Sequence, residues 1–225
     1  MGWIRLFSNK IYLMTMTSKI LNIVLALAVV ILAVELYLAK QNTAAIQPEE
    51  TGEMPALTAI AQRTSVRAYS DQPVEEEKVE TLLRAAMAAP TARDCRPWAF
   101  VVVKDRKVLE AIADTLRNAR MAAKAQLAIV VCGDMTKAIE GEGRDFWIQD
   151  ASAATENLLI AATAQGLGAV WTGIYPSAER TQTCRELLGL PEHIIPLNII
   201  PIGYPAGEVT PKDKWDPTII HTDRW

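Results

Sequence analysis

An apolar run of twenty residues, at positions 20–39, restricts what this chain of 225 residues can fold into more than any other feature. Its first fifteen residues contain one polar side chain, Asn22, and its single charge, Glu35, lies near one end. A helix of that length spans about 30 Å, which is the thickness of a hydrocarbon core. The run predicts a transmembrane signal anchor, with a cleaved signal peptide and a buried core helix as the alternatives.

The charges that flank this run predict its orientation. Three basic residues precede it, and the segment that follows is mainly acidic. Because basic flanks stay in the cytoplasm, we expect a single-pass membrane protein whose main domain lies on the extracytoplasmic face. A start at Met14 or Met16 instead of Met1 would shorten the leading stub and keep the anchor. The basic residues are Arg5, Lys10 and Lys19, and the acidic ones are Glu49, Glu50 and Glu53.

On this basis the chain divides into four parts. Residues 1–19 form a cytoplasmic stub, 20–39 the anchor helix, 40–53 a polar linker and 54–225 one globular domain of ordinary size. Half of all residues are apolar, which excludes a disordered chain. The formal net charge of −3 argues against nucleic acid as a partner, because nucleic-acid binders carry a basic surface.

The sequence lacks the common signatures of metal and nucleotide chemistry. Its two histidines and three cysteines are scattered, without the spacing of metal ligands, so no metal site is expected. It also lacks the glycine-rich dinucleotide motif, the phosphate-binding P-loop and the hydrolase nucleophile motif. If the chain is an enzyme, its difficult chemistry therefore belongs to a bound cofactor.

Hydrophobic periodicity in residues 54–225 predicts an α+β fold. The stripe Val79, Leu82, Leu83 and Ala86 has helical spacing, whereas the β-branched run 99–103 is typical of a buried strand. Because helices and strands mix without regular βαβ spacing, we expect a sheet covered by helices. The predicted helices are 54–62, 73–90, 108–116, 146–165 and 177–188, and the predicted strands are 99–103, 127–132, 169–175 and 197–204.

A basic cluster lies near the start of the domain. It reads Arg63-Thr-Ser65-Val-Arg67, and in an extended segment these alternate residues share one face. Two guanidinium groups and a hydroxyl on one face suit a dianionic phosphate. The alternative interpretation is a solvated basic surface.

Three further clusters stand out. The segment 89–98 joins a helix to a strand, which is where functional loops are often found. The segment 166–173 places Gly173 within a strand pattern, which indicates a bulge or the close approach of a ligand. The segment 211–215 carries two lysines in a proline-bounded tail.

Taken in this order and spacing, the four clusters resemble the FMN-dependent nitroreductase family over about residues 60–225. The motifs are R-x-S-x-R, an APT…PW loop, a long helix running into GLG, a W-x-G segment, and IGYP followed by PKDKW and a final RW. The resemblance implies a nitroreductase-like mixed sheet flanked by helices, in an intertwined homodimer that binds FMN at its interface. It also implies NAD(P)H as the reductant.

The resemblance assigns roles to individual residues. The FMN phosphate is held by Arg63, Ser65 and Arg67 together with Lys212 and Lys214. The flavin is lined by a loop of the second chain, Pro90, Thr91 and Ala92, and the segment Trp171, Thr172 and Gly173 passes along the ring with a backbone N–H near N5. Two polar residues, Asn118 and Arg120, fall near the pyrimidine edge.

The 89–98 segment departs from the family pattern at two positions. Asp94 stands where asparagine is common, and Arg96 stands where glutamine is common. Asp94 can accept a hydrogen bond from flavin N3–H but cannot donate one. Its carboxylate disfavours an anionic reduced flavin unless Arg96 or Arg120 neutralises it. Phe146 and Trp147 are candidates for the substrate pocket, with core packing as the alternative.

These observations predict an FMN oxidoreductase that needs no catalytic side chain. NAD(P)H would reduce the flavin at N5, and a small electron-poor acceptor such as a nitroaromatic or a quinone would then take its place. One alternative is a membrane-tethered flavin-binding protein with a sensing or interaction role. Another is a different flavin reaction on the same fold, such as reductive dehalogenation or dehydrogenation.

Overall fold

The computed structural model describes residues 25, 27, 29–35 and 54–225. The chain separates into two compact units, Met1–Gly52 and Glu53–Trp225. In the first unit, the described residues are helical and their large apolar side chains are exposed. The predicted stub and linker, and most of the predicted anchor, lie outside the described residues, so the four-part division stays a prediction.

The prediction of a membrane location is wrong. Among the described residues, no helix has both the length and the apolar character that a membrane crossing requires. The described residues give no support to the predicted transmembrane helix or to the predicted membrane partner.

The second unit contains five helices and five strands. The helices are α1 (Ala56–Gln62), α2 (Glu76–Met87), α3 (Arg106–Thr115), α4 (Phe146–Ala164) and α5 (Ala178–Leu188). The strands are β1 (Trp98–Val103), β2 (Leu127–Asp134), β3 (Gly168–Ala169), β4 (Thr172–Gly173) and β5 (Ile194–Gly203). Short 3₁₀ turns occupy Ala92–Asp94, Arg117–Lys124, Gly141–Gly143 and Pro217–Ile219.

The helix ends follow from local side-chain chemistry. Asp105 caps α3 by accepting a hydrogen bond from Lys107 N, and Ser177 caps α5 by accepting one from Arg180 N. Gly189 ends α5 in the left-handed conformation, which favours glycine. The predicted helices are confirmed to within a few residues at each end.

The sheet has the strand order β1–β2–β5–β3, and β4 also pairs with β5. Every one of these ladders is antiparallel. β1 runs opposite to β2, and β5 runs opposite to β2, β3 and β4. The predicted mixed sheet is corrected accordingly. Within residues 54–225, parallel pairing is confined to an isolated bridge between Ser65 and Ala169. The predicted strand 169–175 is divided into the short strands β3 and β4.

Helices cover both faces of this sheet. One apolar cluster joins a sheet face to α2 and α4, and includes Leu82, Leu158 and Ile200. The other joins the opposite face to α3 and α5, and includes Leu109, Ile112 and Ile199. All eight residues of β2 are buried. The segments 63–67 and 166–173, which the sequence predicts to be parts of a site, lie at the β3 and β4 side of this buried sheet.

Candidate functional site

The 63–67 segment is fixed beside the edge of the sheet. Val66 N donates a hydrogen bond to Ala169 O of β3 at 3.0 Å. The hydroxyl of Tyr69 lies 2.8 Å from Val66 O and 3.0 Å from Pro201 O of β5. Burial raises the pKa of the Tyr69 phenol despite the nearby Arg67 charge, so the hydroxyl keeps its proton and remains a donor.

Side chains from both basic segments line one cleft. Ser65 and Arg67 border a cavity of about 510 Å³ together with Lys212. Glu208 is the one carboxylate among the residues that line it. A hydroxyl and two cations facing one carboxylate leave the cleft with an excess of positive charge, which suits a phosphate dianion.

Two other predicted phosphate ligands lie differently. The Arg63 side chain is 18% exposed, and its Nε is 3.3 Å from Oε1 of Glu156 on α4. This carboxylate engages only Nε, and a guanidinium has four further N–H donors. Lys214 is exposed and is not among the residues that line the cleft. The structure thus brings three of the five predicted phosphate ligands together.

Gly173 in β4 has open space above it. A Cβ at this position would meet no atom within 4 Å, whereas one at Gly168 would lie 2.6 Å from the Val66 side chain. Packing within the chain therefore explains Gly168 but gives no reason for glycine at position 173. Open space over a strand backbone suits the close approach of a flat ligand, as the sequence predicts.

The neighbours of Gly173 hold its backbone in place. Asn118 Nδ2 donates to Gly173 O at 2.8 Å, and Thr172 Oγ1 donates to Ile199 O at 2.6 Å. The Asn118 amide therefore orients β4 from within the chain. Trp171 is half-buried, and Arg120 is exposed.

The 90–96 loop has an unusual backbone. Arg93, Asp94 and Arg96 all have positive φ angles, between 50° and 54°, a region that residues other than glycine rarely adopt. Arg96 donates two hydrogen bonds to the Asp94 carboxylate, at 2.8 and 2.6 Å. These bonds lower the pKa of Asp94. Of the two arginines considered, Arg96 is the one that neutralises this carboxylate.

Pro90 is exposed in this loop, and Thr91 and Ala92 are half-buried. Ala92 N donates to Oδ1 of Asp150 on α4 at 2.9 Å. Asp150 was not predicted as a site residue. One sequence feature could have indicated Asp150: it is the single carboxylate on the buried face of an apolar helix, three residues after Trp147.

The two aromatic candidates for the substrate pocket differ in burial. Phe146 is 44% exposed at the start of α4, while Trp147 is 3% exposed. Trp147 packs edge-on against Tyr175, with ring centroids 5.1 Å apart, and covers Gly133, where a Cβ would lie 2.3 Å from the indole. Trp147 is therefore occupied in the core of this chain, and Phe146 is the candidate that faces outward.

Known proteins resemble this chain over the described domain. A sequence model of the Nitroreductase family matches residues 60–204. A protein of Methanothermobacter thermautotrophicus, assigned as an NADH dehydrogenase/NAD(P)H nitroreductase, is 44% identical over 177 residues, which are 78% of this chain and 91% of that relative. A crystal structure from Parabacteroides distasonis with the same assignment is 50% identical, with a TM-score of 0.72, and covers 77% of this chain and 100% of its own. An FMN-dependent nitroreductase of Clostridium difficile is 29% identical, with a TM-score of 0.69 and coverage of 75% and 99%.

These findings confirm the predicted family, the predicted enzyme class and the predicted cofactors. The matched residues contain the 63–67 segment, the 90–96 loop and Gly173. The chain belongs to the nitroreductase family and is an NAD(P)H-dependent oxidoreductase with FMN as its cofactor.

Proposed function

We propose that this chain reduces a small electron-poor acceptor, such as a nitroaromatic or a quinone, with NAD(P)H in a ping-pong reaction. When bound, FMN supplies the redox chemistry by accepting a hydride at N5 and passing reducing equivalents to the acceptor. The protein supplies binding, orientation and charge. The observation that carries the proposal is the positive cleft formed by Ser65, Arg67 and Lys212.

In this proposal the cleft holds the FMN phosphate. Ser65 donates a hydroxyl, Arg67 a guanidinium and Lys212 an ammonium. Arg63 contributes N–H donors other than the Nε that lies beside Glu156, and Lys214 adds a second ammonium from the tail. Charge-assisted hydrogen bonds of this kind are about twice as strong as neutral ones, which makes the phosphate the main anchor of the cofactor.

The ring then lies over β4, where Gly173 leaves room for it. The backbone of Trp171, Thr172 and Gly173 faces the ring, with an N–H near N5, and Asn118 keeps β4 in place through Gly173 O. Asn118 and Arg120 lie toward the pyrimidine edge, and Phe146 toward the acceptor. The 90–92 backbone and Asp94 complete the site from the second chain of a homodimer.

Two uncovered surfaces support the homodimer. In the C-terminal tail (residues 205–225), Trp215 is 74% exposed, Ile219 71% and Trp225 100%. β1 is an edge strand, and a groove of about 920 Å³ runs between it, α2, α3 and α5, with an apolar floor and a charged rim that includes Glu76, Glu80 and Lys104. A second copy would cover both surfaces, since exposed apolar patches of this kind mark interfaces. The mass of the holoprotein in light scattering should be twice that of one chain, and a flavin-loaded monomer would contradict the proposal.

The function is tested with the purified full-length chain. We expect a flavin absorption spectrum, its bleaching by NADH or NADPH without oxygen, and its return when a nitroaromatic or quinone is added. Parallel lines in double-reciprocal plots would show the ping-pong order. A bleached flavin that no member of a nitroaromatic, quinone and halogenated-aromatic panel reoxidises would reject the proposed acceptor class.

A further inference from the structure

Asp150 is a buried carboxylate in the middle of an apolar helix. Its exposure is 6%, and its neighbours on the buried face of α4 include Trp147, Ala151 and Ala154. Burying a carboxylate costs free energy unless hydrogen bonds compensate for the lost water. The bond found for Asp150 within the described residues comes from Ala92 N, at 2.9 Å.

The helix itself gives no reason for this carboxylate. An acidic side chain interacts favourably with the helix dipole in the first turn of a helix. Asp150 is the fifth residue of α4 and lies beyond that turn. No ion pair in the described part of the chain involves it. The role of Asp150 must therefore lie in what it contacts, which is the 90–96 loop.

That loop needs an external restraint. Three of its residues have positive φ angles, and such conformations persist only where the surroundings enforce them. The other hydrogen bonds of residues 91–96 stay inside the loop. Three have backbone donors, Asp94 N to Thr91 O, Cys95 N to Ala92 O and Arg96 N to Thr91 Oγ1, each at 3.1 Å, and two join the Arg96 side chain to the Asp94 carboxylate. Among the described hydrogen bonds, the bond to Asp150 is the one that links this loop to another element.

We propose that Asp150 is a positioning residue that sets the shape of the 90–96 loop, and through it the affinity of the enzyme for FMN. Asp150 itself stays below the loop and touches no substrate. The inference rests on the proposed function, because it takes Pro90, Thr91 and Ala92 as residues that line the flavin. It goes further in assigning the shape of that lining to a carboxylate outside the site.

Two substitutions in the full-length chain separate the possible roles of this side chain. Asp150→Ala removes the acceptor for Ala92 N–H, whereas Asp150→Asn keeps an oxygen acceptor and removes the charge. Thr155→Ala is the matched control, because it removes another buried polar group from α4 that contacts Ala151 O and Asn198 rather than the loop. The readouts are hydrogen exchange of the loop amides without FMN and the FMN dissociation constant.

We expect Asp150→Ala to speed exchange of the Ala92 amide at least about tenfold and to weaken FMN binding by about tenfold, as loss of a charge-assisted hydrogen bond implies. Asp150→Asn should restore both values to within about threefold of the native chain, since its oxygen still accepts the bond. Thr155→Ala should leave the loop amides unchanged even if it lowers the melting temperature.

A second variant keeps the test decisive if Asp150→Ala fails to fold. Ala92→Pro removes the donor of the same bond. Ala92 is the first residue of its 3₁₀ turn and follows an extended Thr91, a position where proline is tolerated. Ala92→Pro should speed hydrogen exchange of the Asp94 and Cys95 amides and weaken FMN binding. Adding Asp150→Asn to it should have little further effect, because both changes act on the bond between Ala92 N and Asp150 Oδ1.

Three results would overturn the inference. They are loop exchange unchanged in the variants that lose this bond, faster loop exchange with unchanged FMN affinity, and Asp150→Asn no better than Asp150→Ala. The proposed function is judged separately, by acceptor reduction in the native chain, so it can stand when the inference falls.

Discussion

The two basic segments predicted to bind the FMN phosphate have similar side chains but very different backbones. The 63–67 segment is bridged to β3 and held by the Tyr69 hydroxyl. The 211–215 segment has no helix or strand, and every residue from 210 onward is exposed. Beyond Ala206, the tail hydrogen bonds found in the described residues join tail residues to one another.

This difference matters because ordering a backbone costs about 1–2 kcal/mol per residue. The backbone of the 63–67 segment is already ordered when the chain has folded. We therefore expect its contacts with the FMN phosphate to contribute their full free energy to binding. We expect the 211–215 segment to meet this cost only when the ligand or a second chain binds, so that part of its contact energy is offset. Charge alone therefore overestimates the contribution of the tail.

The largest effect should come from removing the ordered arginines. Arg63→Ala combined with Arg67→Ala should weaken FMN binding at least about 100-fold, because each charge-assisted contact contributes about 1.5–3 kcal/mol. Fluorescence titration of the apoprotein with FMN measures it. Arg84→Ala with Arg117→Ala removes the same charge from exposed positions elsewhere and should leave the affinity within about twofold.

Removing the tail lysines should have a smaller effect. Lys212→Ala with Lys214→Ala should weaken FMN binding by about tenfold, since the lost contacts are partly balanced by the ordering that the variant no longer undergoes. The same titration applies, with the exposed pair Lys107→Ala and Lys124→Ala as the charge control. A loss as large as that of the arginine pair would show that the tail is ordered before FMN binds.

The Tyr69 hydroxyl tests why the first segment is ordered. Tyr69→Phe should lower the free energy of unfolding by about 1–1.5 kcal/mol, because the half-buried carbonyl of Val66 and the buried carbonyl of Pro201 lose a donor. FMN affinity should fall by about threefold in the same variant. Tyr204→Phe removes a hydroxyl that contacts Lys78 and Glu75 instead, so it should spare FMN affinity whatever it does to stability.

The smallest effect concerns alkaline pH. Burial raises the pKa of Tyr69 in the folded chain above the value near 10 expected when unfolded. As the pH rises, the unfolded chain therefore loses the phenolic proton first. The contribution of protonated Tyr69 to the free energy of unfolding is complete below about pH 10 and declines as the pH rises further. Denaturant titrations at pH 9 and pH 11 should show that the free energy of unfolding falls less in Tyr69→Phe than in the native chain, with a difference of at most about 1.4 kcal/mol. An identical decline in both proteins would contradict this assignment.

Most of the fold follows from local pattern. The stripe through Val79, Leu82 and Ala86 and the apolar run 127–132 indicate a helix and a strand that the structure contains. The division of 169–175 into β3 and β4 does not follow, because it depends on how β5 passes beside them. The antiparallel sense of the sheet likewise depends on strand order, which periodicity does not encode.

The site could be predicted only in part. Ser65 and Arg67 reach one cleft because an extended segment places alternate residues on one face. Lys212 joins them through the return of the chain after β5, and the Ala92–Asp150 bond links residues 58 positions apart. Contacts of this range leave no periodic signal, so the prediction of Lys212 came from the family motifs rather than from spacing, and Asp150 was not predicted.

The order of the strands along the chain also affects how the domain can fold during synthesis, because β5 is made after the three strands with which it pairs. β5 pairs with β2, β3 and β4, yet its residues, 194–203, leave the ribosome after nearly all the others. Until then the buried face of β2 has β1 on one side and an open edge on the other. The edge of β2 that pairs with β5 therefore stays unpaired while residues 135–193 are made, and unpaired apolar strand edges of this kind favour aggregation.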